Sequence, residues 1–259
     1  MHFLAIAIGP HVQRQLAFWG TRTRLTPYRK YVTADELEHH QSYVRRFPVD
    51  GVDPDDIAAV LRWAEAESLA SEGVGQDEQG WYFWTTENWK ARWDYWTVGG
   101  RWSQHLIIRE GGVAVRADDE FYMGAPDPQR TELWEQAPTS ERLHAAQTLK
   151  RHIDFDAMQR RAEESAEQQW NGYQAELREG RRDSLMDRHI NGFTREQYLA
   201  RTTWHPAYLV IDGLWHERGD LGLRADVSDE RAAEWTAFVT DQFARLPDDT
   251  LITCIDCHT

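Results

Sequence analysis

Cysteine is nearly absent from this 259-residue chain, which holds only Cys254 and Cys257. Two thiols cannot build the disulfide framework of a small secreted scaffold, so the expected setting is a reducing cytoplasm. No apolar run approaches the roughly 20 residues that a membrane-crossing helix needs. The opening stretch from His2 to Ile8 lacks a basic leader and a cleavage site, and it reads as a buried strand stopped by Gly9-Pro10. Positive charge is also short. Against 43 Asp and Glu stand 29 Lys and Arg, a formal charge of −14. That field repels phosphate-lined duplexes and anionic bilayers over the whole molecule, which excludes duplex nucleic acid and membranes as expected partners. Three-glycine dinucleotide fingerprints, phosphate loops ending in Lys-Ser/Thr, H-E-x-x-H and G-x-S-x-G are all missing, so the common nucleotide-fold, zincin and serine-hydrolase signatures give no assignment.

What the chain has in excess is tryptophan, 13 residues, more than a core of this size ordinarily uses. Four aromatics, a carboxylate, a glycine pair and an arginine crowd into Trp93-Asp94-Tyr95-Trp96-Thr97-Val98-Gly99-Gly100-Arg101-Trp102. Aromatic faces offer stacking surface, adjacent glycines let backbone approach a ligand, and arginine carries a planar, permanent cation suited to carboxylate or phosphate. The expected site is an aromatic-lined pocket for a small polar or anionic molecule, with a nucleotide as one example. Trp93, Tyr95, Trp96 and Trp102 would form its walls, Gly99 and Gly100 its floor, and Arg101 and Asp94 its charged contacts. The competing reading places Trp93, Tyr95 and their neighbours in the core, with Asp94 paired to Arg101 to fix the turn.

Cys254-Ile255-Asp256-Cys257-His258 spells C-x-x-C-H, but a haem or zinc site lacks the export signal or further ligands it requires. In a strand Cys254 and Cys257 point to opposite faces, which suits buried structural thiols better. The same alternation puts Cys254, Asp256 and His258 on one face. Asp256 would then orient His258 as a general base or metal ligand, with His216 as a third group if its hairpin lies alongside. His11, His39, His40, His105 and His205 have no ligand spacing and read as structural.

Along the chain, Thr33 and Glu36 have capping-box spacing before a helix, and a second helix from Asp53-Pro54 carries Ile57, Val60, Leu61 and Ala64 to a stop at Gly73. Gly73 to Gly80 reads as a loop, and Glu110-Gly111-Gly112 as a hairpin turn between Gln104–Arg109 and Val113–Arg116. Ser140 to His152 and Asp154 to Gly180 read as helices, and Thr194 with Gln197 opens another. Asp212-Gly213 marks a second hairpin, Ser228 a last helix and Thr250 to His258 a last strand. Strands at both ends with helices gathered between them indicate an α+β fold. The expected architecture is a largely antiparallel or mixed sheet covered by helices in a single domain, residues 1–259, with a helical insertion over 139–203.

With the Trp-Asp-aromatic-aromatic-x-x-Gly-Gly-Arg-Trp run in hand, the chain resembles a group of uncharacterised phage, prophage and actinobacterial proteins that carry Trp-Asp-Trp-Tyr in place of its Trp93-Asp94-Tyr95-Trp96. Phe3 to Gly9, Ile153 to Met158, Gly213 to Glu217 and Pro247 to His258 are similar to that group's patterns. The resemblance implies a shared architecture and a mobile-element context. Three functional classes follow: an accessory ligand-binding protein, a metal-assisted hydrolase or group-modifying enzyme using Asp256 and His258, and an acidic protein-interaction inhibitor with a protein partner.

Overall fold

The computed structural model describes residues 2–66, 71–114, 144–181, 190–219 and 228–259. In chain order its elements are β1 (His2–Ile8), α1 (Val12–Leu16), β2 (Tyr28–Tyr31), α2 (Ala34–Arg46), α3 (Ile57–Ala66), β3 (Ser71–Asp77), β4 (Gly80–Thr85), β5 (Tyr95–Val98), β6 (Leu106–Ile107), β7 (His144–Ala145), β8 (Gln147–Leu149), α4 (Phe155–Arg178), α5 (Arg195–Ala200), β9 (Tyr208–Ile211), β10 (Leu214–Glu217), α6 (Asp229–Arg245) and β11 (Leu251–His258). The fold is α+β, with a mixed sheet, two small antiparallel sheets and helices outside regular βαβ alternation. The chain divides into two compact units, residues 1–18 with 95–259, and residues 19–94. Among the described residues no helix is long and apolar enough to cross a membrane.

The first unit is built on a sheet of order β10-β9-β1-β11-β5, with β8 also paired to β11. β1 reads Phe-Leu-Ala-Ile-Ala-Ile because both of its faces are covered, so it runs apolar without alternation. It pairs antiparallel with β11 and parallel with β9. One face carries Ile6, Ile8, Leu209, Ile252 and Cys254, packed with Met158 of α4 and Trp235, Val239 and Phe243 of α6. Each such apolar side chain contributes about 1.5–3 kcal/mol when fully buried. Trp204 joins Phe155 and Phe243 at ring separations of 5.0 and 5.1 Å, an aromatic cluster beside that core. Trp235 stays buried without penalty because its indole N–H donates to the Pro206 carbonyl at 2.8 Å.

Asp154 caps α4 by accepting from the Ala157 N–H at 2.8 Å, and Ser228 caps α6 through the Arg231 N–H at 3.2 Å. The Asp212-Gly213 hairpin forms as expected, with φ of 51° and 79° at the two central residues, the paired positive values of a type I′ turn. Two expectations fail in this unit. The hairpin across Glu110-Gly111-Gly112 is replaced by a tight turn closed by the Gly112 N–H on the Arg109 carbonyl, while β6 pairs with β7. Residues 115–116, which would have completed that hairpin, lie outside the described residues. The helix expected over 140–152 is instead β7 and β8, followed by a 3-10 turn from Lys150 to His152, with 140–143 outside the described residues. Helix-prone Ala145 and Ala146 yield here to distant backbone partners, Ala145 pairing with Leu106 of β6 and Ala146 accepting from the Cys254 N–H of β11 beside the β8 pairing.

The second unit pairs β2, β4 and β3 in that order, antiparallel throughout. Thr33 and Glu36 close the expected capping box on α2, and the Asp56 carboxylate starts α3 by accepting from the Ala59 N–H. Val60 and Leu61 of α3 and Val44 of α2 are buried. Gly73 does not stop a helix. It lies inside β3, where the expected loop is a strand because Gly75 lets the Tyr82 ring cross it: a Cβ there would stand 2.4 Å from that ring.

Candidate functional site

β11 brings chemistry to one end of the large sheet. Asp256 stands opposite Leu4 on β1 and Thr97 on β5, and His258 stands opposite His2 and Tyr95. Alternation then points His2, Asp256 and His258 to the same face, as strand geometry requires. Asp256 is 3% exposed, yet both of its oxygens are satisfied. Oδ1 lies 2.8 Å from His2 Nδ1, and Oδ2 accepts from the Arg101 backbone N–H at 2.9 Å. A carboxylate only accepts, so His2 Nδ1 carries the proton of that bond. The His258 ring meets His2 edge-on, centroids 4.9 Å apart.

The glycine pair serves this same carboxylate. β5 ends at Val98, the Gly99 N–H donates to the Cys254 carbonyl at 2.9 Å, and the chain then folds into a 3-10 turn from Gly100 to Trp102. Gly99 and Gly100 hold φ of 75° and 48°, the left-handed region where a side chain is strained. A Cβ on Gly100 would stand 2.5 Å from Asp256 Oδ2. The close backbone approach expected toward a ligand is therefore made to Asp256. Arg101 is fixed by its backbone, while its side chain is exposed and, among the described residues, has no partner.

The other expected wall residues separate. Trp96 is 2% exposed and faces the opposite side of the sheet beside Cys257, so it is core and offers no free ring face. Trp93 and Asp94 belong to the second unit, where the Trp93 ring covers Gly20 so closely that a Cβ there would approach it to 2.6 Å. Asp94 is exposed. Trp102 packs at the edge of the large core, its ring 6.2 Å from His105. Tyr95, 37% exposed, is the aromatic of the run that stays open at the sheet end. An aromatic pocket with four walls does not assemble within the first unit.

His216 does not join either. It lies on the row Cys254, Ile6, Leu209, His216, three strand spacings from β11, which is about 14 Å at the usual separation. Its ring rests 5.2 Å from Phe238, and burial lowers its pKa, the signature of a packed histidine. Cys254 and Cys257 are buried free thiols whose pKa values burial raises, so neither is a ready nucleophile. Among the described residues no group of three or more His, Cys, Asp and Glu side chains has metal-holding geometry. His2 is the functional candidate that the sequence reading missed. Its signal was present: a terminal strand of period two set antiparallel to β11 places residues 2 and 258 side by side.

The class these features define is an α+β protein with an imidazole–carboxylate–backbone cluster under an exposed guanidinium. No family of known proteins, no curated protein and no solved structure matches the chain.

Proposed function

We propose that this chain is an accessory protein of phage or bacterial mobile-element type that binds a small anionic ligand, a phosphate-bearing molecule such as a nucleotide, at the end of the large sheet. The observation that carries the reading is the divided role of Arg101, whose backbone is anchored on Asp256 while its guanidinium stays exposed and, among the described residues, unpaired. A guanidinium rooted this way keeps its donor fork free for a planar or tetrahedral anion. His2 shares the anchoring carboxylate, His258 lies against His2, and Tyr95 opposite His258 offers a partly open ring for stacking. The mobile-element context rests on the sequence resemblance alone, carried by the Trp93 to Trp102 motif and the similar patterns at Phe3 to Gly9, Ile153 to Met158, Gly213 to Glu217 and Pro247 to His258.

Calorimetric titration of the full chain with inorganic phosphate and with nucleoside mono-, di- and triphosphates tests the reading. Saturable binding is expected, weakened roughly 10- to 100-fold by Arg101→Ala, the loss of a charge-assisted hydrogen bond. Unaltered affinity in that variant, or no binding to any member of the panel, removes this site.

The His2–Asp256 bond supports a second reading, a hydrolase or group-modifying enzyme. A carboxylate on Nδ1 fixes the tautomer and leaves Nε2 as a general base. Turnover of a phosphate or carboxylate ester, lost in His2→Gln with ligand binding retained, would favour it. Binding with no turnover would reject it.

A further inference from the structure

A buried carboxylate behind Arg101 is a poor companion for an anion that is merely held. Asp256 is 3% exposed, and its charge opposes any phosphate brought to the sheet end. The opposition is resolved when Asp256 acts through His2. Its Oδ1 lies 2.8 Å from His2 Nδ1, which leaves Nε2 as the basic nitrogen, and the same carboxylate stabilises the imidazolium formed when Nε2 accepts a proton. A second imidazole stands beside the first, the His258 ring meeting His2 edge-on with centroids 4.9 Å apart. Arg101 is rooted by its backbone N–H on the other oxygen of that carboxylate, so the exposed guanidinium and the two imidazoles gather around one point.

One base, one acid and one cation facing a tetrahedral anion are the groups that phosphodiester transesterification uses. A nucleophile is still required. The thiols of the same strand, Cys254 and Cys257, are buried and burial raises their pKa values, so neither serves. A ribonucleotide carries its own nucleophile, because the 2′-hydroxyl stands beside the 3′-phosphate and an internal group has a large effective-molarity advantage over water. Charge sets the size of the substrate. The chain bears a formal −14, so a diester with a single negative charge is admitted at Arg101 where a long polyanion is repelled. Tyr95, in register with His258 on the same face and partly open, supplies a ring on which one base can stack.

We propose, resting on the Arg101 anion site and the acid–base reading of His2, that this sheet end cleaves short ribonucleoside phosphodiesters by transesterification. His2 Nε2 takes the proton of the 2′-hydroxyl, whose oxygen bonds to phosphorus as the bond from phosphorus to the 5′-oxygen breaks. Protonated His258 gives its proton to that leaving oxygen, and Arg101 stabilises the charge gathered on the phosphoryl oxygens. The products are a 2′,3′-cyclic phosphate and a free 5′-hydroxyl. Nothing is oxidised or reduced and no further reactant enters, and exchange with water returns His2 and His258 to their starting protonation.

The test incubates the full chain, with a chelator present, with ribodinucleoside monophosphates, their 2′-deoxy counterparts and ribo-oligonucleotides of increasing length. Products are identified by chromatography and phosphorus magnetic resonance, and calorimetry follows binding of the 2′-deoxy compounds, which have no internal nucleophile. Cyclic phosphate is expected from the ribodinucleotides and not from the deoxy compounds, at rates that fall as the oligonucleotide lengthens at low salt. His2→Gln and His258→Gln should each lower kcat roughly 100-fold or more while the deoxy dinucleotide still binds. A thermal melt shows each variant folded, and identical purification of the variants discounts a carried-over nuclease. Deoxy dinucleotide bound but ribodinucleotide left intact overturns this activity and leaves the anion site standing, whereas absence of both binding and cleavage removes the two together. Cleavage of the deoxy compounds, a preference for the longest oligonucleotides, or turnover indifferent to either histidine substitution would also overturn it.

Discussion

Gly100 marks the most constrained backbone point of the sheet end, since its φ of 48° and the 2.5 Å approach of a Cβ to Asp256 act together. Gly100→Ala should therefore destabilise the protein by about 1–3 kcal/mol. A drop in the midpoint of chemical denaturation checks this, and an unchanged midpoint would mean that the Arg101–Asp256 bond is not under this constraint. At the residue scale the sequence disclosed the ingredients but not their orientation. Gly99-Gly100-Arg101 and Asp256 both stood out, one by local density and the other by strand alternation. Their union was hidden because 155 residues separate Arg101 from Asp256, and only the pairing of β5 with β11 joins them. Trp96 was misleading for a related reason. Period two tells which residues share a face, but not which face is covered.

Elements closed by local hydrogen bonds were the legible ones. The capping boxes at Thr33 and Thr194 and the Asp212-Gly213 turn all form where the spacing places them, because each is settled by side chains three residues apart or by two backbone angles. Thr33→Ala should cost about 0.5–2 kcal/mol, read as a lower midpoint in thermal or urea unfolding. A Thr33→Asp variant, which keeps an accepting oxygen, should recover most of that loss. Elements defined by a distant partner were illegible. β8 and β5 lie end to end along the same side of β11, with the Cys254 N–H donating to the Ala146 carbonyl at 2.7 Å where they meet. Nothing near Ala146 announces that role, and alanine content locally favours a helix. β3 escaped notice because its glycines, read as punctuation, are there to admit the Tyr82 ring.

For the molecule as a whole, acid should be the weak direction. Burial lowers the pKa of both His105 and His205 to about 4, with Arg161 beside His105 adding to the effect. In the unfolded chain each titrates near 6.5, so between these values the unfolded state binds more protons and stability falls as pH falls. The stabilisation is complete above about 6.5 and is lost on approach to 4, on the order of 2–3 kcal/mol for His105. Denaturation midpoints measured across that window should fall steadily, and His105→Phe should flatten the slope. A slope unaffected by the substitution would assign the acid sensitivity to other groups.

The formal charge of −14 makes any anion site on this protein a local exception to its field. The most direct measurement is a titration of the full chain with inorganic phosphate and a nucleoside triphosphate, read from the ring resonances of His2 and His258. The account predicts saturable shifts in both rings, moved to roughly 10- to 100-fold higher ligand concentration by Arg101→Ala while the fold persists. Rings that stay silent, or that shift equally without the guanidinium, would contradict it.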